Sequence, residues 1–140
     1  MGPGSDRRVQ GMLPAALGLG PFVPCSDFAR SQAFYRTIGF SVREVNERIA
    51  VVGADDGHGP AFLLQNYYVK AYAENLMLQL VVPDVRAWWA HLSALPVWEQ
   101  FGVKEPRPPR LEAWGGEVAH FWDPTGVLWH VTSLPGVTDD

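Results

Sequence analysis

The residues with the clearest chemical potential lie near the carboxyl end, between Gly116 and Ser133. This stretch contains His130, an imidazole that can bind a metal ion or exchange a proton near neutral pH, and Glu117, a carboxylate that can act as a base. The sequence Asp123-Pro124-Thr125-Gly126 predicts a tight turn between two strands, because proline presets the turn dihedral angle and glycine permits a positive one. The chemistry open to His130 therefore depends on which face of this hairpin it occupies.

Alternation along the two strands sorts their side chains into two faces. If His130 faces a cavity, a four-residue turn predicts that the same face holds Leu128, Thr132, Glu117, Ala119 and Phe121. The opposite face then holds His120, together with Trp122 and Trp129 as core residues under a helix. On this register, His120 and His130 cannot act on one ligand.

Composition restricts the class of protein that uses this hairpin. A chain of 140 residues with 47% apolar and 19% charged residues predicts one globular domain. The net charge of −4 and the lack of a Lys/Arg stripe argue against nucleic acid as a partner. The single cysteine, Cys25, excludes an intramolecular disulfide and a cysteine-cluster metal site, and free cysteine is typically buried.

No run of about 18 or more uncharged apolar residues predicts a membrane span. The opening residues Met1 to Ser5 resemble a cloning remnant rather than a signal peptide with an apolar core. We therefore expect a soluble, cytoplasmic protein with no membrane partner. Residues 1–18, which are rich in glycine and proline, predict a flexible arm.

Local signals in the first half predict the elements that precede the hairpin. Gly20–Cys25 predicts an edge strand because it contains two prolines. Asp27 predicts the N-cap of a helix from Phe28 to Ile38 that stops at Gly39. Strand-forming sequence follows within Phe40–Asp55 and again in Ala61–Gln65.

The second half repeats this order. Leu76–Val82 predicts a strand, and Asp84 predicts the N-cap of a helix whose core stripe is Val85, Trp88, Trp89 and Leu92. Val97–Val103 is a strand candidate, and the prolines in Lys104–Arg110 predict an extended loop or a bulged edge.

Placed side by side, Phe22–Phe28 and Gln79–Val85 share a strand, a capping Asp and a helix start. The order is therefore βαβββ written twice. We predict an α+β fold of two such modules, about 19–70 and 76–134, within a single domain of residues 19–134 and followed by a tail of residues 135–140. Together they form a curved mixed sheet with helices on the convex face and a concave ligand-binding face.

These motifs resemble the vicinal oxygen chelate (glyoxalase/bleomycin resistance/dioxygenase) superfamily. The match rests on Ala33–Phe40, on Val82–Val85 and on Asp123–Gly126. The resemblance implies either a metal enzyme, with one His or Glu ligand on each of four strands, or a metal-free drug-binding protein.

The family's metal-ligand positions fall on unsuitable residues in this chain. Seven residues before the capping acids Asp27 and Asp84 stand Gly20 and Met77, which have no suitable donor for the metal ions of these enzymes. In the first module's last strand only Gln65 has a donor, and only His130 is a competent ligand. This pattern favours a protein without a metal or another cofactor.

The resemblance to bleomycin-resistance proteins then implies sequestration of a hydrophobic or aromatic antibiotic-like molecule in a groove between two subunits of a homodimer. An exchanged N-terminal arm that includes Pro14 is compatible with this. The predicted ligand-binding residues are Phe22, Met77, Gln79, Trp98, Trp114, Glu117, Phe121, Leu128, His130 and Thr132. No catalytic residue is predicted.

Three alternatives stay open. In the first, the chain is a metal-dependent lyase, isomerase or dioxygenase with His130, and weakly Gln65, as ligands. In the second, it is a metal-free enzyme with His130 or Glu117 as general base. In the third, His130 is a buried histidine bonded to Gln79 or to the backbone, without contact to a ligand.

Overall fold

The computed structural model describes residues 12–136. Within this range the chain forms β1 (Phe22–Pro24), α1 (Phe28–Ile38), β2 (Ser41–Glu44), β3 (Ile49–Gly53), a 3₁₀ turn (Asp55–Gly57), β4 (Ala61–Gln65), α2 (Lys70–Asn75), β5 (Met77–Val81), α3 (Val85–Ser93), α4 (Val97–Phe101), β6 (Arg107–Leu111), β7 (Glu117–Trp122) and β8 (Leu128–Ser133). No helix among these is long and apolar enough to cross a membrane.

The strands form two mixed sheets of four strands each. The first has the order β1-β4-β3-β2 and the second the order β5-β8-β7-β6. In each sheet the first strand of the module pairs in parallel with the last strand, and the remaining pairs are antiparallel. The predicted α+β fold of two βαβββ modules is confirmed, and α4 is an additional helix in the second module.

The two capping aspartates begin the main helices as predicted. One carboxylate oxygen of Asp27 accepts a hydrogen bond from the Arg30 amide at 3.1 Å. One oxygen of Asp84 accepts from the amides of Arg86 and Ala87, both at 3.0 Å. These bonds satisfy amides that the first helical turn leaves without a backbone partner.

The helices cover one face of each sheet and enclose an aromatic core. Phe34 of α1 lies edge-on to Tyr35 and to Trp98, with ring centroids 5.3 and 5.9 Å apart. In α3, Val85 and Leu92 are buried, whereas Trp88 and Trp89 are only partly buried. The predicted core stripe of α3 is therefore complete at its two ends and partial in the middle.

The prediction of a strand over Val97–Val103 was wrong, since Val97–Phe101 forms α4. Pro96 precedes it, where a missing N–H costs nothing, and Gly102 ends it at φ 63° in the left-handed region. These helix boundaries outweigh the strand preference of the valines in the segment. The bulged edge predicted next is confirmed, because the pairing of β6 with β7 shifts between Arg107 and Arg110.

The segment before β1 has no regular secondary structure from residue 12 onward, and its side chains are exposed. Residues 1–11 of the predicted arm and residues 137–140 of the predicted tail lie outside the described residues. The arm and the domain boundaries thus stay predictions.

Candidate functional site

The β7–β8 hairpin has a loop of five residues, Asp123 to Val127, because Trp122 pairs with Leu128. One carboxylate oxygen of Asp123 accepts hydrogen bonds from the backbone amides of Thr125, Gly126 and Val127 at 2.9, 3.0 and 2.9 Å. The predicted turn of four residues was therefore one residue too short. An odd loop reverses which residues of β7 face His130.

His120 consequently lies directly opposite His130 in the register, and their ring centroids are 4.6 Å apart. The prediction that the two histidines occupy opposite faces was wrong. The register extends this pair into a row across all four strands of the second sheet: Gln79, His130, His120 and Arg107.

We call the sheet surface that contains this row the His130 face. By register and alternation it holds Met77, Gln79 and Val81 of β5, Leu128, His130 and Thr132 of β8, and Val118, His120 and Trp122 of β7. Five of the predicted ligand-binding residues meet there: Met77, Gln79, Leu128, His130 and Thr132. Sequence reasoning missed Val118, His120 and Trp122, which a five-residue loop would have placed correctly.

Two predicted residues of β7 lie on the opposite, helix-covered face. Phe121 is fully buried and stacks on Trp129, with ring centroids 5.3 Å apart and planes 11° from parallel. Glu117 forms an ion pair with Arg86 of α3 at 2.8 Å. Neither can contact a ligand on the His130 face. For the same reason, the prediction that Glu117 could act as a general base on that face was wrong.

Some predictions for the tryptophans were right and others were wrong. Trp129 is a core residue as predicted, but Trp122 belongs to the His130 face instead of the core. Trp98, predicted to line a pocket, is 8% exposed and donates its indole N–H to the Leu92 carbonyl at 2.9 Å. It is therefore a core residue.

The remaining predicted residues stand apart from the row. Trp114 is 55% exposed in the β6–β7 connection, where its ring lies on Gly116 and leaves no room for a Cβ at that residue. Phe22 is 48% exposed on edge strand β1 of the first sheet, and Gln65 ends β4 of that sheet. Gln65 thus belongs to a different sheet from His130.

Two buried polar atoms on the His130 face have no partner. Within residues 12–136, neither Nε2 of His130 nor Oγ1 of Thr132 forms a hydrogen bond, although both atoms are inaccessible to solvent. Buried polar atoms are normally paired, and leaving one unpaired costs about 1–3 kcal/mol. A bound molecule pairs with these atoms only when the side chains that cover them move aside.

Positive charge borders the same face. Lys104 Nζ and Arg107 Cζ lie 4.9 and 5.2 Å from the centroid of the Trp122 ring. Burial lowers the pKa of His120 from its ordinary value, and the nearby His130 and Arg107 lower it further, while Glu112 partly opposes them. The His120 side chain is therefore kept neutral at neutral pH.

The profile of the Glyoxalase/Bleomycin resistance protein/Dioxygenase superfamily matches residues 18–131. The chain belongs to this superfamily. No curated protein sequence matches it.

Several solved structures have a fold similar to that of this chain. A bleomycin resistance determinant encoded on transposon Tn5 is 20% identical with a TM-score of 0.65, covering 84% of this chain and 98% of its own. The bleomycin-binding protein of Streptomyces verticillus, complexed with copper(II)-bleomycin, is 20% identical with a TM-score of 0.67, covering 87% and 99%. TnmS3, an antibiotic binding protein from Streptomyces sp. CB03234, is 26% identical with a TM-score of 0.61, covering 86% and 98%.

Metal enzymes occur in the resembled family, so the donor groups of the row decide whether a divalent ion fits there. Two imidazoles and the Gln79 amide are available, and Arg107 at the end of the row repels a cation. Among residues 12–136, no group of three or more His, Cys, Asp or Glu is placed to hold a metal ion. These residues do not fit a resident metal, which needs three or four protein ligands.

A buried network ties the hairpin to α1. The Tyr35 hydroxyl donates to Asp123 at 2.7 Å and accepts from the Trp129 indole N–H at 3.0 Å. Burial raises the pKa of Asp123 and raises that of Tyr35 well above its ordinary value. The Asp of the family turn motif thus has a structural role, which is to fix the loop that sets the register of the His130 face.

Proposed function

We propose that this protein binds and sequesters a hydrophobic or aromatic antibiotic-like molecule on the His130 face, without a metal ion. The observation that supports this most is the pair of buried, unpartnered atoms, His130 Nε2 and Thr132 Oγ1, within an otherwise largely apolar surface. A ligand that displaces the side chains covering these two atoms regains hydrogen bonds that the free protein lacks.

The surrounding side chains suit an aromatic ligand. Met77 is 63% exposed and Val81 is also exposed, so their apolar surface is free to be buried. Lys104 and Arg107, which lie over the Trp122 ring, suit a carbonyl, phenolate or other electron-rich group of such a ligand. The face therefore combines apolar contact with a few directional polar groups, as small-molecule sites do.

The relatives support the same type of ligand. Two solved relatives are bleomycin-binding proteins in complex with bleomycin, and TnmS3 is an antibiotic binding protein. Their resemblance to this chain concerns the fold, so the choice of antibiotic is decided by the residues of the His130 face.

We further propose that a second copy of the chain completes the binding groove. The His130 face is open in one copy, and exposed apolar side chains also lie at Phe22, Tyr67, Tyr68 and Tyr72. Exposed apolar surface of this kind marks interaction sites. A homodimer would bury it and wall the ligand, and an exchanged N-terminal arm remains part of this proposal.

The His pair favours a second candidate, a metal-free enzyme with His130 as general base. His120 beside it has a lowered pKa, and within residues 12–136 His130 Nε2 has no hydrogen-bond partner. Turnover of a bound antibiotic, detected as a new mass after incubation, separates this candidate from sequestration.

Titration with bleomycin and, separately, with the planar anthraquinone-2-sulfonate tests the proposal. We expect saturable quenching of tryptophan fluorescence by at least one of them, unchanged by EDTA. His130→Ala and Thr132→Val weaken the binding, because each removes one of the two polar atoms. His58→Ala is the matched control, since His58 lies in an exposed turn.

Equal affinity of the His130→Ala variant and the unchanged protein for the quenching probe contradicts the proposed site. Elemental analysis of the purified protein tests its independence of metal. About one equivalent of a tightly bound divalent ion, together with binding that EDTA abolishes, overturns the metal-free proposal and favours the metal-dependent alternative.

A further inference from the structure

A groove on the helical side of the molecule lies between the end of α1, the 3₁₀ turn and α3. It encloses about 380 Å³, which is within the range of small-molecule sites. Its lining includes Ile38, Phe40, Asp55, Ala87, Trp88 and His91. Because α3 covers the face of the second sheet opposite to His130, this groove is separate from the proposed antibiotic site.

Two aromatic rings form the apolar part of this groove. Phe40 and Trp88 have ring centroids 6.4 Å apart, and Trp88 is only partly buried although it lies on the core-facing stripe of α3. His91 is held against the groove wall because its Nε2–H donates to the Ile38 carbonyl at 2.6 Å. The exposed surface of Trp88 is therefore available for contact with a ring or a cation.

Among the described residues that line this groove, Asp55 is the only one with a carboxylate. Its backbone has φ 53°, and that of Asp56 has φ 52°, in a region that residues other than glycine rarely adopt. The turn is held by the Ala54 carbonyl, which accepts from the amides of Gly57 and Gly59, and by the His58 amide, which donates to the Asp55 carbonyl. Within residues 12–136, the Asp55 side chain accepts no hydrogen bond and forms no ion pair.

We propose that this groove is a second small-molecule site, specific for an ammonium group joined to an aromatic ring by a short alkyl chain. The Asp55 carboxylate attracts the ammonium group, and the lining contains no Lys or Arg to compete for it. The ring lies against Phe40 and Trp88, whose faces also favour a nearby cation. An anionic molecule of the same shape is repelled.

Phenethylamine is the probe, and 3-phenylpropionate, which exchanges the cation for an anion, is its matched control. In ¹⁵N-HSQC titrations, phenethylamine shifts amide signals of residues 38–40, 54–55 and 87–91 with a dissociation constant of about 1 mM or tighter, as expected for so few non-hydrogen atoms. Phenylpropionate leaves these signals unshifted.

Asp55→Asn removes the charge and keeps a residue that tolerates a positive φ, so the turn survives. It weakens phenethylamine binding about fivefold or more, whereas Asp56→Asn, which removes the neighbouring carboxylate outside the lining, leaves it unchanged. Trp88→Phe, checked for folding by thermal unfolding, also weakens binding.

Three results overturn the proposal. One is the absence of saturable shifts in the groove, and another is an equal effect of Asp55→Asn and Asp56→Asn. The third is that the unchanged protein does not bind phenethylamine and that Asp55→Asn changes the oligomeric state. This result would assign the groove to a contact between two copies of the chain.

Discussion

His120 is the residue whose position changes the chemistry of the His130 face most. Beside His130 it turns a single imidazole into a row of polar groups between Gln79 and Arg107. Its lowered pKa means that the folded protein binds a proton there less readily than the unfolded chain does. The same contacts that shape the site therefore make stability depend on pH.

We expect stability to fall as the pH decreases from about 7.5 to 5, since an unfolded histidine titrates near 6.5. The folded pKa of His120 is depressed, so its contribution is present above the unfolded pKa and is lost as the pH falls through the folded pKa. Urea unfolding midpoints measured across this range check the slope. His120→Gln flattens it, whereas the exposed control His58→Gln does not, and equal slopes for all three proteins contradict the assignment.

Asp123 is predicted to be the most sensitive polar residue of the core. Asp123→Ala leaves three backbone amides and the Tyr35 hydroxyl without their acceptor, which costs about 3 kcal/mol or more of unfolding free energy. Tyr35→Phe costs about 1–2 kcal/mol. Denaturant unfolding of both variants and of the double variant checks the coupling, and strictly additive losses argue against a shared network.

At the scale of elements, the helix caps depend on contacts near in the sequence, whereas the hairpin loop also depends on a distant residue. Asp27 and Asp84 bond to amides two or three residues away, so the local sequence is enough to begin α1 and α3. The five-residue loop depends on Asp123, which also bonds to Tyr35, 88 residues earlier. Because the predicted loop was one residue too short, Glu117 and Phe121 were assigned to the wrong face of β7. His120 was for the same reason left out of the predicted site.

Removal of either cap is expected to destabilise its helix by about 1 kcal/mol. Asp27→Ala and Asp84→Ala each remove the oxygen that the first-turn amides require, while Asp27→Asn and Asp84→Asn retain one. Chemical denaturation of the four variants measures the difference. Alanine variants as stable as the asparagine variants would show that the caps do not contribute.

For the whole molecule, the two modules share one core, yet the His130 face lies outside it. Phe121 and Trp129 stack under the helices, while Met77 and Val81 on the other side of the sheet stay exposed. An exposed apolar surface beside buried unpaired polar atoms is incomplete in a single copy of the chain, which is why a dimer was proposed.

Charged substitutions on this face test the dimer. Met77→Glu and Val81→Glu place a charge where a partner would bury apolar surface, and we expect both to shift the protein from dimer to monomer in light scattering after size exclusion. Val45→Glu is the control, since Val45 is an exposed apolar residue after β2 in the other sheet. A monomeric unchanged protein, or a dimer that all three variants retain, argues against the proposal.

Sequence alone determined what depends on neighbours in the chain: the capped helices, the glycine and proline boundaries, the repeated βαβββ order and the family to which they belong. One error was local, since the boundaries Pro96 and Gly102 enclose a helix over Val97–Phe101 where a strand was predicted. Other errors arose where a distant contact decides, as for Trp98, which packs in the core against Phe34.

Only the tertiary structure decided the composition of the His130 face. A β-strand alternates with a period of two, so one extra loop residue exchanges every side chain of β7 between core and surface. Asp123 fixes that extra residue through its loop amides and through Tyr35 of α1. The candidate site therefore has a histidine pair because Asp123 bonds both to the amides of its own loop and to Tyr35 of the other module.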